Sequence, residues 1–515
     1  MRLRLSHFAI TSPLELFVFS ILTEIYFIFF HNLICKYAEL IRQKASKKEN
    51  LFRGKKIFLF LVPLQPMKRD SIDFANEPVG RLFRQLLLPT LAGMISIAVL
   101  NVTDGAFLGR GVGSNGIAAV NIAAPIFTFI TGFGLMFGAG CSVVASIHLS
   151  KGNGKAADIN VTQAYLATIV VSTIFAMLIL TNLEGTARLF GSNDVLLHDV
   201  SNYLKWIALT IPLNMIGLVG EFVIRLDGSP KFAMACTVTA AMSNIFLDWL
   251  FIFPFGWGVE GAARATGISF AISGVMVIVY MLFFTKTFHL YRLKMSLKSL
   301  ALTLRNMWYQ VKLGFSNFLA ETAVSCSIIV GNYIFIKYLG ENGVAAFSVA
   351  CYCIPTAFML ANAITQASQP ILSFAYGTGN PHRLRKTRNL ALTSALVAGV
   401  AGFAILGLGA RPVTAIFLKS TEAAFGLSVA GLPWFSVSSV FICLNVVAIG
   451  YLQSIERAGE ATVFTLLRGF IFIIPAYILL PKAFGTVGMW IALPVSEALT
   501  TLLLAIWIIA TRLRK

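Results

Sequence analysis

The sequence predicts an all-α integral membrane protein, with twelve transmembrane helices in two pseudo-symmetric six-helix bundles. Three observations predict it. Of the 515 residues, 57% are hydrophobic and only 12% are charged, whereas a soluble chain carries about 25% charged residues. From residue 79 onward the apolar residues gather into twelve runs, each near the roughly 20 residues a helix needs to cross a bilayer. Finally, short motifs return at one offset, 227 residues: GSNGIAAV at 113–120 as GENGVAAF at 340–347, Gly152-Asn153 as Gly379-Asn380, and GVEGAARA at 258–265 as GTVGMWIA at 485–492.

In chain order the runs lie near 79–108, 116–147, 156–181, 199–224, 230–254 and 258–285, then 308–337, 343–376, 385–410, 425–453, 459–482 and 485–511. Six runs separate equivalent points of the repeat. The two halves, 67–285 and 308–515, therefore share one topology and are related by an axis along the membrane normal, and a ligand site between them is the natural expectation. Residues 286–307, rich in Lys and Arg, would be the linker joining them; the amphipathic pattern over 286–312 predicts a helix lying at the membrane surface.

Lys and Arg number 41 against 22 acids, a formal charge of +19. The excess sits in short loops between apolar runs, so its partner is the bilayer and not a nucleic acid. Arg81, Arg84, Lys151, Lys155, Lys231, Lys286, Lys298, Arg305, Arg383, Arg385, Lys386 and Arg388 fall on one face. The other keeps only Arg110, Arg188, Lys205, Arg264, Lys337, Arg411, Lys419 and Lys482. By the positive-inside rule both ends of the twelve-helix core are cytoplasmic, in a cell inner membrane. Residues 1–66 match nothing in the repeat. Their apolar run, about 14–35, is interrupted by Glu15, Glu24 and His31, and Met67 looks like the more natural beginning; we expect 1–66 to come from an upstream start and to be dispensable.

Acids inside spans point to function. "SNIFLDWLFIF" at 243–253 places Asn244 and Asp248 four residues apart, on one helix face. Asp104, with Asn101 three residues before it, ends the first span. A charged Asp near the bilayer centre costs about 2.5–3.5 kcal/mol, so such residues usually face a cavity, a partner or an ion path. Thr266 in the sixth span adds a hydroxyl. Two carboxylates, an amide and a hydroxyl suit a hard cation such as sodium, or a shared proton; the competing role is a hydrogen-bonded pair that glues helices. The offset partners of Asp104 and Asp248 are Gly331 and Pro475, so the acid pair is not duplicated. The second half has Glu321, a candidate contact for a cationic substrate or coupling ion, and Gln366 and Gln369, which with Asn101 of the first half are candidates for the substrate cavity. Arg468 and Glu497 are expected to pair structurally.

Several motifs lead nowhere. GVGSNG at 111–116 fits GxGxxG but stands between two membrane helices, not after a strand, and so is a turn. There is no GxxxxGK[ST], no CxxC among the seven cysteines, and no nucleophile–base arrangement. The chain is not expected to be an enzyme or to hold a cofactor beyond a coupling ion.

Four segments together resemble the multidrug and toxic compound extrusion (MATE) family, bacterial branch. They are LPTLAGMISIAVLNVTDGAFLGRGVGSNGIAAVNIAAPI, SNIFLDWLFIFPFGWGVEGAARAT, ASQPILSFAYGTGNPHRLRK and LPKAFGTVGMWIALPVSEALT, and the likeness runs from about 79 to 511. The resemblance implies two six-helix bundles, alternating access, and export of organic cations or amphiphiles against sodium or protons. It implies that Asp104, Asn244, Asp248 and Thr266 form the cation-coupling site and that Glu321 matches a seventh-helix acid of many members. Arg264 departs from the pattern; we expect it to snorkel toward the surface. A monomer is expected. The rival is a lipid-linked precursor flippase of the same superfamily, which would need a strongly cationic cavity.

Overall fold

A computed structural model describes residues 72–513, apart from 193, 292, 294 and 295. The expectation for residues 1–66 lies outside the described residues. Among the described residues the regular structure is helical: α1 (Val79–Gly111), α2 (Ser114–Ser150), α3 (Gly154–Thr181), the short α4 (Leu183–Leu189), α5 (Leu197–Leu226), α6 (Pro230–Ile252) and α7 (Gly258–Phe283) make the first half. The second half comprises α8 (Leu297–Gly377), α9 (Pro381–Phe403), α10 (Ala410–Phe417), α11 (Ala423–Ser436), α12 (Ser438–Ser454), α13 (Ala458–Leu466) and α14 (Ile473–Leu513). Among the described residues, ten helical stretches are long and apolar enough to cross a membrane. Two of them turn back at a glycine, Gly340 (φ 62°) in α8 and Gly485 (φ 58°) in the last stretch, which gives twelve crossings.

The turns show why the repeat exists. Gly113, Gly152 and Gly258 have φ of 91°, 73° and 55°; their partners Gly340, Gly379 and Gly485 have 62°, 66° and 58°. A left-handed backbone is open to glycine at little cost, so each of these residues lets one span stop and the next begin. Asn153 and Asn380 follow two of them and cap the next helix, accepting from the backbone N–H groups of Ala156 and Arg383. The halves are not identical. π-turns interrupt only the second, at Ala404–Leu408 and Leu467–Ile471, and among the described residues only Glu456 is a non-glycine at positive φ, 61°.

Phe335, Phe347, Phe435, Tyr477 and Trp490 form the centre of the second half, with the Phe335 and Phe347 rings stacked 4.4 Å apart. Arg468 and Glu497 pair there, as expected, with Arg468 Nη2 2.7 Å from Glu497 Oε1 and both side chains almost wholly buried. Asn445 donates to the other carboxylate oxygen at 2.7 Å.

The linker departs from expectation. The described residues of the linker before Leu297 are non-helical; from Leu297, capped by Ser296, a single helix runs to Gly340. Residues 297–307 are thus the first turns of the seventh span and not a separate surface helix. No proline interrupts 297–339, and polar residues within it are anchored on the first half. Asn306 donates to Gln163 at 3.2 Å, and Gln310 to the Asn160 side chain at 3.0 Å. Around this linker-side end the halves come closest: a Cβ on Gly140 would stand 2.0 Å from the Gln310 carbonyl oxygen, and one on Gly314 1.9 Å from that of Met136.

Candidate functional site

Asn244 and Asp248 lie on one face of α6, as their spacing of four predicts. α6 starts on Pro230, which pre-sets the first turn, and has neither proline nor glycine after it, so Asn244 and Asp248 stack one turn apart. Both are buried, Asp248 completely. α1 packs along α6 and brings Asp104 opposite, so that the two carboxyl groups come within reach of each other. Thr266 of α7 completes the set: Asn244 Nδ2 donates to its Oγ1 at 3.4 Å. Asn101 is exposed on α1 and joins neither this group nor the cavity described next.

Neither oxygen of Asp248, nor Oδ1 of Asp104, has a hydrogen-bond partner. An ionised carboxylate only accepts, so two of them cannot satisfy each other. A proton held between them or a cation bound by both would remove the deficit. The donor set fits either. Tyr203 of α5 is a further member that sequence reasoning missed: buried, it presents its hydroxyl to Thr266 and faces both acids. A tyrosine in an apolar run carries no signal of its own, and 45 residues separate it from Asp248.

Glu321, Gln366 and Gln369 meet in one cleft between the halves. Asn317, Asn362, Thr365 and Gln453 line it from the second half, and Leu135 and Phe222 from the first. None of the lining residues is basic. Gln369 donates to the Ala139 carbonyl at 3.4 Å and Gln453 to that of Leu313 at 2.8 Å, while Gln366 Oε1 has no partner. Beside Glu321 stands a cluster of rings across the seam: Phe318 lies 4.8 Å from Phe133 and 5.3 Å from Phe129, and both of these contact Phe175. Arg264 pairs with Glu260 at 2.5 Å and lies between the Trp206 and Trp257 rings, partly exposed.

A twelve-span bundle built from two parallel repeats, with unsatisfied acids buried in one half and a polar cleft between the halves, has the architecture of a membrane transporter. The MatE family model matches residues 89–250 and again 317–478, one match in each half. The chain belongs to the multidrug and toxic compound extrusion family. It is 22% identical over 444 residues to the multidrug export protein MepA of Staphylococcus aureus (strain MRSA252), covering 85% of this chain and 96% of that one. It is 23% identical over 452 residues to an FAD transporter of Shewanella oneidensis, covering 84% and 94%. Among solved structures, an outward-facing multidrug resistance MATE transporter superposes with a TM-score of 0.77 at 21% identity, over 84% of this chain and 96% of that one. A transporter of the wider superfamily from Pyrococcus furiosus superposes with 0.78 at 20% identity, over 86% and 98%.

Proposed function

We propose that this chain is a secondary antiporter of a bacterial inner membrane, exporting organic cations or amphiphiles by alternating access in exchange for sodium or protons. The observation that carries this is the Asp104–Asp248 pair, in which both oxygens of Asp248 and Oδ1 of Asp104 are buried without a hydrogen-bond partner. Such a pair binds a cation or proton strongly in one surrounding and weakly in another. A ligand moves a conformational equilibrium only by its differential affinity for the two states, and a buried acid pair is a device for producing one. Asn244, Thr266 and Tyr203 would hold the ion; Glu321, Gln366 and Gln369 would receive the substrate.

The cleft's chemistry favours a cationic or neutral cargo over an anionic one. An acid with no base among the lining residues attracts positive charge, and a pyrophosphate-linked lipid would meet repulsion there. The multidrug export relative is consistent with this. The test is efflux of a fluorescent organic cation from proteoliposomes holding the full chain, under an imposed sodium or pH gradient, beside Asp248→Asn. Gradient-dependent efflux that Asp248→Asn reduces to background, with equal protein inserted, is expected. Unimpaired gradient-driven efflux in that variant would refute the role of the pair.

A further inference from the structure

The antiport scheme leaves Arg264 unused, and its position is awkward. It precedes Thr266 by two residues, about 3 Å of rise along α7, and a flexible arginine so placed could lend its charge to the acid pair and displace the coupling ion. Its surroundings prevent that. Arg264 Nη2 is 2.5 Å from Glu260 Oε1, and Trp206 Nε1 donates to the same oxygen at 3.2 Å. The guanidinium carbon is 4.6 Å from the Trp206 ring centroid and 4.5 Å from that of Trp257. Arg264 Nε has no hydrogen-bond partner; the two indole faces, which attract a cation, enclose it instead. Trp206 shares α5 with Tyr203, and Glu260 shares α7 with Thr266. One clasp therefore joins the two helices that bring Tyr203 and Thr266 together.

We infer that Glu260 is a positioning residue of the ion site: it holds Arg264 in the tryptophan cage and cancels its charge, so that the acid pair keeps its affinity for the coupling ion. The inference rests on the antiport scheme. A clasp with a merely mechanical task predicts that losing either partner loosens α5 against α7 and weakens ion binding. Charge cancellation predicts opposite signs. Without Glu260 the arginine acts as an uncompensated cation beside the site; without Arg264 the glutamate acts as an uncompensated anion. For a unit charge about 10 Å away at an effective dielectric of about 20–40, cation affinity changes by about four- to sixteenfold. Partial exposure of both side chains places the effect toward the lower end of that range.

The experiment measures the concentration of coupling ion, sodium or hydronium, giving half-maximal driven efflux in proteoliposomes for wild type, E260Q, R264A and the double variant. Detergent melting of each sample identifies any that is misfolded. We expect E260Q to raise the half-saturating concentration about fourfold, R264A to lower it, and the double variant to fall between the two. The inference is overturned if both single variants raise it, if E260Q leaves it unmoved, or if the double variant stays at the E260Q level. If E260Q does not fold, R264A alone decides by its sign. Absence of driven efflux in wild type would instead remove the antiport scheme, and this inference with it.

Discussion

Each buried ionisable side chain in this bundle requires a separate account, because a lone charge in a low-dielectric surrounding is costly. Arg468 and Glu497 answer for each other, and Asn445 takes the remaining carboxylate oxygen. Removing one member leaves the other stranded: Arg468→Leu should lower stability by about 3–5 kcal/mol, and Arg468→Leu with Glu497→Leu should recover most of it. Melting in detergent of both variants checks this; an undamaged single variant would show that Glu497 finds another partner. Asp104 and Asp248 have no such answer inside the protein, which is why they are assigned to an ion and the Arg468 pair to structure. Tyr203 links the ion site to α5 through one hydroxyl near Thr266. Its loss in Tyr203→Phe removes a polar group beside the ion and little packing, so the half-saturating coupling-ion concentration should rise about two- to tenfold. An unchanged value would place the hydroxyl outside the ion's shell. Asn244 and Asp248 were legible in the sequence because a helix converts a spacing of four into a shared face. Tyr203 was not, since its membership depends on how α5 packs against α7.

Elements tell the same story at the seam. Along one stripe of α8 stand Asn306, Gln310, Gly314, Phe318 and Glu321: hydrogen-bonding amides, then a backbone approach, then an aromatic contact, then the acid of the cleft. The spacing of four, four, four and three keeps them on one face. The sequence announced a seventh span but not this grading, because nothing local shows that Gly314 faces a carbonyl of another helix. Its Cβ would stand 1.9 Å from backbone that cannot step aside. Gly314→Ala should therefore hold the linker-side ends of α2 and α8 apart and cut transport at least about tenfold, the scale of a 1.4 kcal/mol bias between states. Transport at the wild-type rate would mean that the close approach relaxes without consequence. That the linker's helix is continuous with the seventh span escapes the sequence for a related reason. Its amphipathic face reads as membrane-surface helix, yet its polar side is satisfied by Asn160 and Gln163 of the first half.

At the scale of the molecule, the repeat supplies the frame and its breakage supplies the function. Three pairs of left-handed glycines, 227 residues apart, give both halves the same turns, and this much could be read from recurring motifs. What the second half lacks is the acid pair, while each half carries its own buried tie, Arg225–Glu221 at 2.9 Å in the first and Arg468–Glu497 at 2.7 Å in the second. In the proposed antiport cycle the two halves would move against each other where they are joined by polar side chains and close backbone contacts, not where apolar packing is continuous. The Asn306–Gln163 hydrogen bond spans that joint at 3.2 Å. In a background with all seven cysteines replaced, Gln163→Cys and Asn306→Cys joined by a short thiol-specific cross-linker should abolish gradient-driven efflux, and a reductant that cleaves the linker should restore it. Either cysteine alone, treated with the same reagent, should retain transport. If the cross-linked protein continues to transport, the halves do not part at this end, and the motion that exposes the cleft must be sought within one bundle.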